Sequence, residues 1–288
     1  MSDTAIVTDS CSCIPPDILR SLNITWIPYY IHRGDEILRD LVSIDARTFY
    51  DWLPTAQELP KTASPGPGDY LSTYQELAAQ GKQNILSIHM TSHGSGAFQA
   101  ARAAASMAKE LLPKVRIEVV DTLNVAMCTG WIAIEAARAA IQRISFDTIK
   151  DAVRRMVPRV EMLQTADTLR YLYMGGRIGR ATNLVGTLLN IKPLIGMKEG
   201  IIEALGKARS RTRVYERMIE LILEGVHPGN RLKVAFMHAS AVQEAQRLKD
   251  MLESRIELSE SFICEFSPAL GVHCGPGTAG ICYLRGLD

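Results

Sequence analysis

The chain has 288 residues, 47% of them apolar, and a formal net charge of +1. This length and apolar content allow a large buried core and predict two domains. A net charge so close to zero gives no bulk attraction to nucleic acid or to an acidic membrane, so we expect neither partner. The most apolar predicted helix, residues 131–144, contains Glu135 and Arg138 and is therefore not expected to insert stably into a membrane.

Two further features concern the compartment and the metal content. The amino terminus carries neither a basic n-region nor a long apolar run, so no secretory signal is expected. The six cysteines include no CxxC pair and no zinc-ligand spacing to histidine. We therefore predict reduced thiols in a cytoplasmic protein without a metal site.

The first half of the chain alternates predicted strands and helices. Residues 4–8 form a strand that ends at Asp9 and Ser10, and residues 24–31 form a second strand. The region 33–60 has no clear period and contains two turn signals, which predicts a small excursion from the main sheet.

The central stretch follows a hydroxyl-rich loop, residues 61–68, and a helix that ends near Gly81. Residues 85–102 begin as an apolar strand and end as a helix with apolar residues at three- and four-residue steps. Between them, residues 91–96 are small or hydroxyl-bearing. Unpaired N–H groups at a helix start favour an anion, although an ordinary capped turn has the same residue types.

A third strand, residues 115–120, ends at Asp121 and leads to the apolar helix. This alternation predicts a parallel, doubly wound sheet, in which ligands bind at the carboxyl edge of the strands. The polar residues expected at that edge are Asp9, Ser10, Thr91, Ser92, Ser95 and Asp121.

The alternation changes near residue 158. Beyond it, residues 192–195 and 201–205 flank a Glu-Gly turn and predict a hairpin, with helices and strands following. We therefore divide the chain into an α/β domain over residues 1–158 and an α+β domain over residues 159–288.

The Gly94-Ser95-Gly96 turn permits two enzymatic interpretations. A strand-to-helix turn is where the serine nucleophile of an esterase lies, but GxSxG is absent because both glycines adjoin Ser95 directly. A serine hydrolase using Ser95 stays an alternative. The second interpretation takes Gly94-x-Gly96 as part of a dinucleotide-binding fingerprint, with Asp121 as a ribose ligand. Gln99 occupies the third position of that fingerprint, where a small residue is needed.

Charged residues elsewhere also have a structural and a functional interpretation. Arg177 and His273 each lie in a glycine-rich segment, and each alone favours a structural role. On an extended segment, cations at every second position share a face, which is typical of a protected edge strand. A docking surface is the alternative for this series, Lys207, Arg209, Arg211 and Arg213.

Several short segments, taken in order and spacing, resemble one family along nearly the whole chain. They are Thr8-Asp9-Ser10, the Thr62-to-Ser64 loop, the Thr91-to-Gly96 turn, Val120-Asp121-Thr122, Thr168-Leu169-x-Tyr171-Leu172 with Gly175-Gly176-Arg177-Ile178, Leu188-Leu189-x-Ile191-Lys192-Pro193 and His273-x-Gly275-Pro276-Gly277. The chain resembles the DegV family of fatty-acid-binding proteins. That resemblance implies an EDD-like fold, with a doubly wound parallel-sheet amino-terminal domain, a second α/β (α+β) domain and an acyl chain buried between them.

The resemblance also implies a function. Bacterial relatives are non-catalytic subunits that bind a long-chain fatty acid and present its carboxylate to a separate fatty acid kinase. No cofactor is implied, because the fatty acid is itself the ligand.

Site residues follow from the resemblance position by position. Thr62 and Ser95 match the hydroxyls that hold the carboxylate, with the Gly96 N–H beside them. Arg177 and His273 match the pair used near the head group and for phosphorylation. The same loops supply the remaining candidates, Ser64, Thr91 and Ser92.

The chain departs from the family pattern at Ala63, Gly94 and Ala97. Because of these three departures, the resemblance does not determine the shape of the pocket.

The apolar helix predicted over residues 183–189 supplies the candidate wall of the acyl tunnel, with ordinary core packing as the alternative. Its candidate residues are Leu184, Val185, Leu188 and Leu189.

Overall fold

A computed structural model describes residues 2–187, 191–226 and 231–286. The strands are β1 (Thr4–Asp9), β2 (Thr25–Ile27), β3 (Tyr30–Arg33), β4 (Glu36–Arg39), β5 (Lys61–Ala63), β6 (Asn84–His89), β7 (Arg116–Asp121), β8 (Val160–Thr165), β9 (Lys192–Lys198), β10 (Ile201–Ala208), β11 (Leu232–His238), β12 (Glu260–Glu265) and β13 (Ala279–Arg285).

The α-helices are α1 (Pro16–Ser21), α2 (Ala46–Trp52), α3 (Pro67–Ala79), α4 (Ala97–Leu111), α5 (Met127–Ile141), α6 (Phe146–Met156), α7 (Arg170–Met174), α8 (Arg211–Glu224), α9 (Val242–Glu253) and α10 (Pro268–Cys274). Short 3-10 helices cover Ser10–Ser12, Leu53–Thr55, Val157–Arg159 and Gly179–Thr187. Within the described ranges, no helix is long and apolar enough to cross a membrane.

The amino-terminal region is built on a parallel sheet in the order β2-β1-β6-β7. Every residue of β1 and β6 is buried, as expected for strands covered by helices on both faces. The carboxyl ends of β1, β6 and β7 therefore meet at one edge, at Asp9, His89 and Asp121. The predicted α/β class with a parallel amino-terminal sheet is confirmed.

The run predicted as one strand over residues 24–31 is divided between two sheets. Strand β2 joins the parallel sheet, whereas β3 is the centre of a small antiparallel sheet in the order β4-β3-β5. Pro28 lies between them, and proline cannot donate to a continuous ladder. The same small sheet contains Thr62, which pairs with Ile31 and so lies on a strand rather than in the predicted loop.

The carboxyl-terminal region forms a second, mixed sheet in the order β10-β9-β8-β13-β11-β12. The predicted hairpin is present as β9 and β10, which turn at Glu199 and Gly200. The helix predicted over residues 183–189 is instead part of the 3-10 helix Gly179–Thr187, and residues 188–190 lie outside the described ranges.

The series of cations at 207–213 does not form one extended face, which corrects that interpretation. Only Lys207 lies on a strand, the edge strand β10. Arg211 is the first residue of α8, where its guanidinium contacts Asp167 at 3.0 Å and donates to the carbonyl of Gly277. Because the Arg211 side chain is largely buried, its role is structural and the series is not a continuous docking surface.

One hydrophobic core joins the two main sheets. Trp131 of α5 is fully buried, and its indole N–H donates to the carbonyl of Cys282 on β13 at 3.2 Å. The Tyr50 hydroxyl, on α2, donates to the carbonyl of Phe266 at 3.0 Å. Both bonds link the amino-terminal region to the carboxyl-terminal region.

A fully buried chain of polar side chains lies beneath the carboxyl edge of the first sheet. Nδ1 of His89 is 2.8 Å from Oδ2 of Asp9, and Nε2 of His89 is 2.7 Å from the Ser87 hydroxyl. The Tyr74 hydroxyl donates to Ser87 at 2.9 Å, and Oδ1 of Asp9 accepts from the Cys11 N–H at 3.1 Å. Each member satisfies its neighbour, as buried polar groups require.

Truncating Asp9 should therefore destabilise the fold. Asp9→Ala leaves the imidazole of His89 and the Cys11 N–H buried without a partner, so we expect a loss of about 1–3 kcal/mol in the free energy of unfolding. Asp9→Asn is the matched control, because an amide can both accept from Cys11 and bond to His89. Urea denaturation measures the free energy of unfolding of both variants. An Asp9→Ala protein as stable as the wild type would contradict the prediction.

Candidate functional site

A cavity of about 420 Å³ lies between the two main sheets. This volume is within the range of small-molecule sites, and residues from both regions line it. One part of the lining carries hydroxyl groups from β5 and from the turn before α4. Most of the remainder is apolar, which suits a ligand with one polar end and a long apolar body.

Ser95 is at the polar end of the cavity. Its hydroxyl oxygen lies 2.7 Å from the Tyr29 hydroxyl and accepts from the Ala97 N–H at 3.2 Å. Burial raises the pKa of Tyr29 well above its ordinary value, so the phenol stays protonated and can donate to Ser95. The Ser95 proton is then free to point toward a ligand.

Ser64 and Gly96 close the same end. A Cβ atom added to Gly96 would lie 3.2 Å from the Ser64 hydroxyl oxygen, so these two loops approach closely. Gly96 also precedes the fifteen-residue helix α4, whose amino end favours negative charge. The turn and the helix start therefore combine hydroxyl donors with a favourable potential for a carboxylate.

His273 faces Thr62 across the cavity. Its Nε2 atom lies 2.8 Å from the Thr62 hydroxyl, whereas its buried Nδ1 atom has no hydrogen-bonding partner within the described ranges. Burial, and secondly the charge of Arg177, lower the pKa of His273 to about 4. The imidazole is therefore neutral near pH 7, and the tautomer with its proton on Nε2 can donate to the Thr62 hydroxyl.

Arg177 is the cation beside this pair. Its guanidinium donates to the carbonyl of Gly175 at 2.7 Å and, at 3.4 Å, to the carbonyl of Gly94 in the turn before α4. The side chain is exposed, and no carboxylate pairs with it in the described part of the chain. It retains donors and charge for an anion at the cavity mouth.

The two other turn candidates have different positions. Thr91 lines the cavity, but its hydroxyl donates to the carbonyl of Gly200 at 2.8 Å and so ties the turn to the β9–β10 hairpin. Ser92 is outside the lining, and its N–H donates to Asp121 at 3.2 Å. These bonds give both residues an evident role in shaping the turn.

Thioether and aliphatic side chains form much of the cavity wall. They come from both sheets and include Met90, Val125, Met162, Leu172, Met197, Ile201, Ile202, Phe266 and Leu270. Leu184 and Val185 instead pack in a cluster with Leu172 and Ile202, one layer behind the cavity surface. Leu188 and Leu189 lie outside the described ranges, so their place in the wall stays a prediction.

A second cavity, of about 570 Å³, adjoins the polar end of the first. The two share Thr62, Arg177 and His273, which form the boundary between them. Lys61 and Arg170 line the outer cavity and are exposed. Three cations therefore surround the approach to the hydroxyl cluster from outside.

Within the described ranges, no histidine is hydrogen-bonded to the Ser95 hydroxyl. The Ser95 hydroxyl bonds to Tyr29, and His273 bonds to Thr62. Asp121 accepts from the backbone N–H groups of Ser92 and Leu123, which makes it a turn-closing residue. Among the described residues, no cluster of histidine, cysteine and carboxylate side chains is suited to a metal ion.

Comparison with known proteins agrees with this architecture. The sequence matches the family model described as "Uncharacterised protein, DegV family" over residues 3–286. The chain belongs to the DegV family. It is 31% identical to a DegV domain-containing protein of Clostridium acetobutylicum and 30% identical to Protein DegV of Bacillus subtilis, with coverage of 96% of both chains in the first case and of 97% and 98% in the second.

Solved structures of DegV proteins have the same fold. A DegV family protein from Thermus thermophilus, described for its fatty acid binding, superimposes with a TM-score of 0.91 at 28% identity, covering 99% of this chain and 100% of the other. DegV from Bacillus subtilis, described as a fatty acid binding protein, gives 0.89 at 28% identity with the same coverage. The predicted family and two-part fold are thus confirmed.

The structure adds cavity residues that the sequence did not indicate. Tyr29 follows Pro28 in an apolar run and has no motif that marks it as a partner of Ser95. Lys61 adjoins Thr62, and Arg170 precedes the glycine-rich turn, but both resemble ordinary surface cations. Gln164 was also missed, although a glutamine within an apolar strand is a detectable irregularity.

The pKa of His273 should respond to Arg177. Arg177→Gln removes a nearby positive charge, so we expect the pKa of His273 to rise from about 4 while staying below its ordinary value because burial remains. NMR titration of the His273 ring, assigned with His273→Gln, measures this shift. Arg180→Gln, in the same glycine-rich turn, is the control; an equal shift there would show that the effect is not specific to Arg177.

Proposed function

We propose that this chain binds a long-chain fatty acid, with the carboxylate among the hydroxyls of Thr62, Ser64 and Ser95 and the acyl chain along the apolar wall. The observation that carries the proposal is a single cavity with a hydroxyl cluster at one end and thioether and aliphatic side chains beyond it. Two DegV proteins at 28% identity that are described as fatty acid binding support the same ligand class.

Burial of the acyl chain would supply most of the affinity. Each buried methylene contributes about 0.8 kcal/mol, so roughly sixteen carbons exceed ~10 kcal/mol before ordering costs. A charged hydrogen bond at the head group adds about 1.5–3 kcal/mol. The apolar wall would therefore determine affinity, and the hydroxyl cluster would determine orientation.

The head group would be held without a formal ion pair inside the cavity. In this arrangement Tyr29 would donate to the Ser95 oxygen, 2.7 Å away, and leave the Ser95 proton for the carboxylate. The Nε2 tautomer of His273 would likewise donate to Thr62 and leave the Thr62 proton for the ligand. Arg177 then offsets the ligand charge from the cavity mouth, where it is still solvated.

We further propose that the chain presents the carboxylate to a fatty acid kinase and does not itself catalyse the reaction. The outer cavity supports this, because it leads to Thr62 and His273 and carries Lys61, Arg170 and Arg177. A carboxylate oxygen that attacks a phosphoryl group needs its developing charge stabilised, and cations at the approach would contribute that. A cytoplasmic location belongs to the same proposal, consistent with six buried thiols.

The hydroxyl cluster can be tested by substitution. Ser95→Ala and Thr62→Ala each remove one hydrogen bond to a charged group, so each should weaken fatty acid binding by about 1–3 kcal/mol. Calorimetric titration with palmitate measures the effect. Ser72→Ala, an exposed hydroxyl on α3, is the matched control and should bind as the wild type does.

Two results would contradict the assignment. Unchanged palmitate affinity in the Ser95→Ala/Thr62→Ala double variant would show that the carboxylate lies elsewhere. Turnover of a p-nitrophenyl ester that is lost in Ser95→Ala would instead favour the serine hydrolase.

Substitution of Arg177 should separate presentation of the carboxylate to the kinase from binding of the fatty acid. We expect Arg177→Ala and His273→Ala to retain palmitate affinity within a few-fold, yet to support little acyl-phosphate formation with a fatty acid kinase. The reason is that the acyl chain provides most of the affinity, whereas the cation acts on the transferred group.

Arg213→Ala is the control for loss of an exposed cation, since Arg213 pairs only with Glu216 in the described part of the chain. Kinase turnover and palmitate binding are measured side by side for each variant. Equal loss of both by Arg177→Ala would show a structural role for Arg177.

A further inference from the structure

Gln164 is a polar residue on the apolar wall of the cavity. It lies on β8 and is only 4% exposed, yet it is part of the cavity lining together with Met162. Residues two apart on a strand share a face, so Gln164 and Met162 both point toward the amino-terminal region. Leu163 between them packs in the core on the opposite face.

The amide of Gln164 has no hydrogen-bonding partner among the described residues. Its cross-strand neighbours are Ile195 on β9 and Gly280 on β13, and neither has a polar side chain. The neighbours on its own strand face, Met162 and Ala166, are also apolar. None of these four side chains can hydrogen-bond to the amide, and Gln164 lines the cavity.

A cavity wall that contacts only the methylene groups of a ligand would not be expected to contain Gln164. An unsubstituted acyl chain packed against Gln164 would remove water from the amide oxygen and its two N–H donors without providing a hydrogen bond in exchange. A hydroxyl or keto oxygen on the chain would satisfy the same amide. Buried sites that hydrogen-bond a ligand oxygen discriminate strongly against the analogue that lacks it.

We propose that the natural ligand is an oxygenated fatty acid, whose chain carries a hydroxyl or keto oxygen that hydrogen-bonds to the Gln164 amide. This inference rests on the proposed function, because it takes the ligand to be a fatty acid. It adds the substrate class: the hydroxyl cluster holds the carboxylate, and Gln164 selects a second polar group on the chain.

The test compares stearate with monohydroxystearates that carry the hydroxyl at successive positions along the chain. At least one hydroxystearate should bind the wild-type protein roughly five- to tenfold more tightly than stearate, as one net hydrogen bond gives. Gln164→Met has a similar shape without the amide, so it should remove this preference and tighten stearate binding. Gln83→Met makes the same exchange at an exposed glutamine outside the cavity lining, so it should leave both affinities unchanged.

Each outcome of the titrations has a defined meaning. Tight stearate binding with no preference for any hydroxystearate would overturn this inference and leave fatty acid binding intact; it would indicate that bound water satisfies Gln164. Equal weakening of stearate and hydroxystearate by Gln164→Met would place the amide at the carboxylate and would also overturn it. Failure of stearate and of every hydroxystearate to bind would overturn the proposed function and this inference together.

Discussion

The shared hydrophobic core between the two main sheets is the constraint on which the rest of the structure depends. Trp131 of α5 is fully buried and donates a hydrogen bond to the backbone of β13. The helix that covers the first sheet therefore also packs against the second. Tyr50 makes the corresponding link to Phe266. Protein interiors are close-packed, so this shared core positions the two sheets that border the cavity.

The shared core brings together site residues from distant parts of the chain. Thr62 and His273 are hydrogen-bonded although 211 positions separate them, and Thr91 bonds to the hairpin turn at Gly200. Thr62 lies on β5, His273 lies in the last turn of α10, and Thr91 follows the end of β6. The elements that carry these residues pack on the shared core, so the packing of the core and the chemistry of the site are linked.

The cost of desolvation explains where neutral and charged side chains lie around the cavity. Inside, burial keeps His273 neutral and Tyr29 protonated, so the polar end offers donors rather than ions. Outside, the basic side chains of Lys61, Arg170 and Arg177 are exposed to water. Desolvating a cation is costly, and leaving it at the mouth lets it act on an anionic ligand or partner without that cost.

The sequence by itself determined the fold class, the carboxyl edge of the first sheet and the family, because these depend on local periodicity and on short motifs in a fixed order. It also indicated Thr62, Ser95, Arg177 and His273 through resemblance to relatives. Only the tertiary structure decided which hydroxyls are free and which close a turn, as with Thr91, because hydrogen-bond partners are distant in sequence. It likewise assigned Arg211 to the interior, and it placed the Gln164 amide on a cavity wall where strand pairing leaves it no partner.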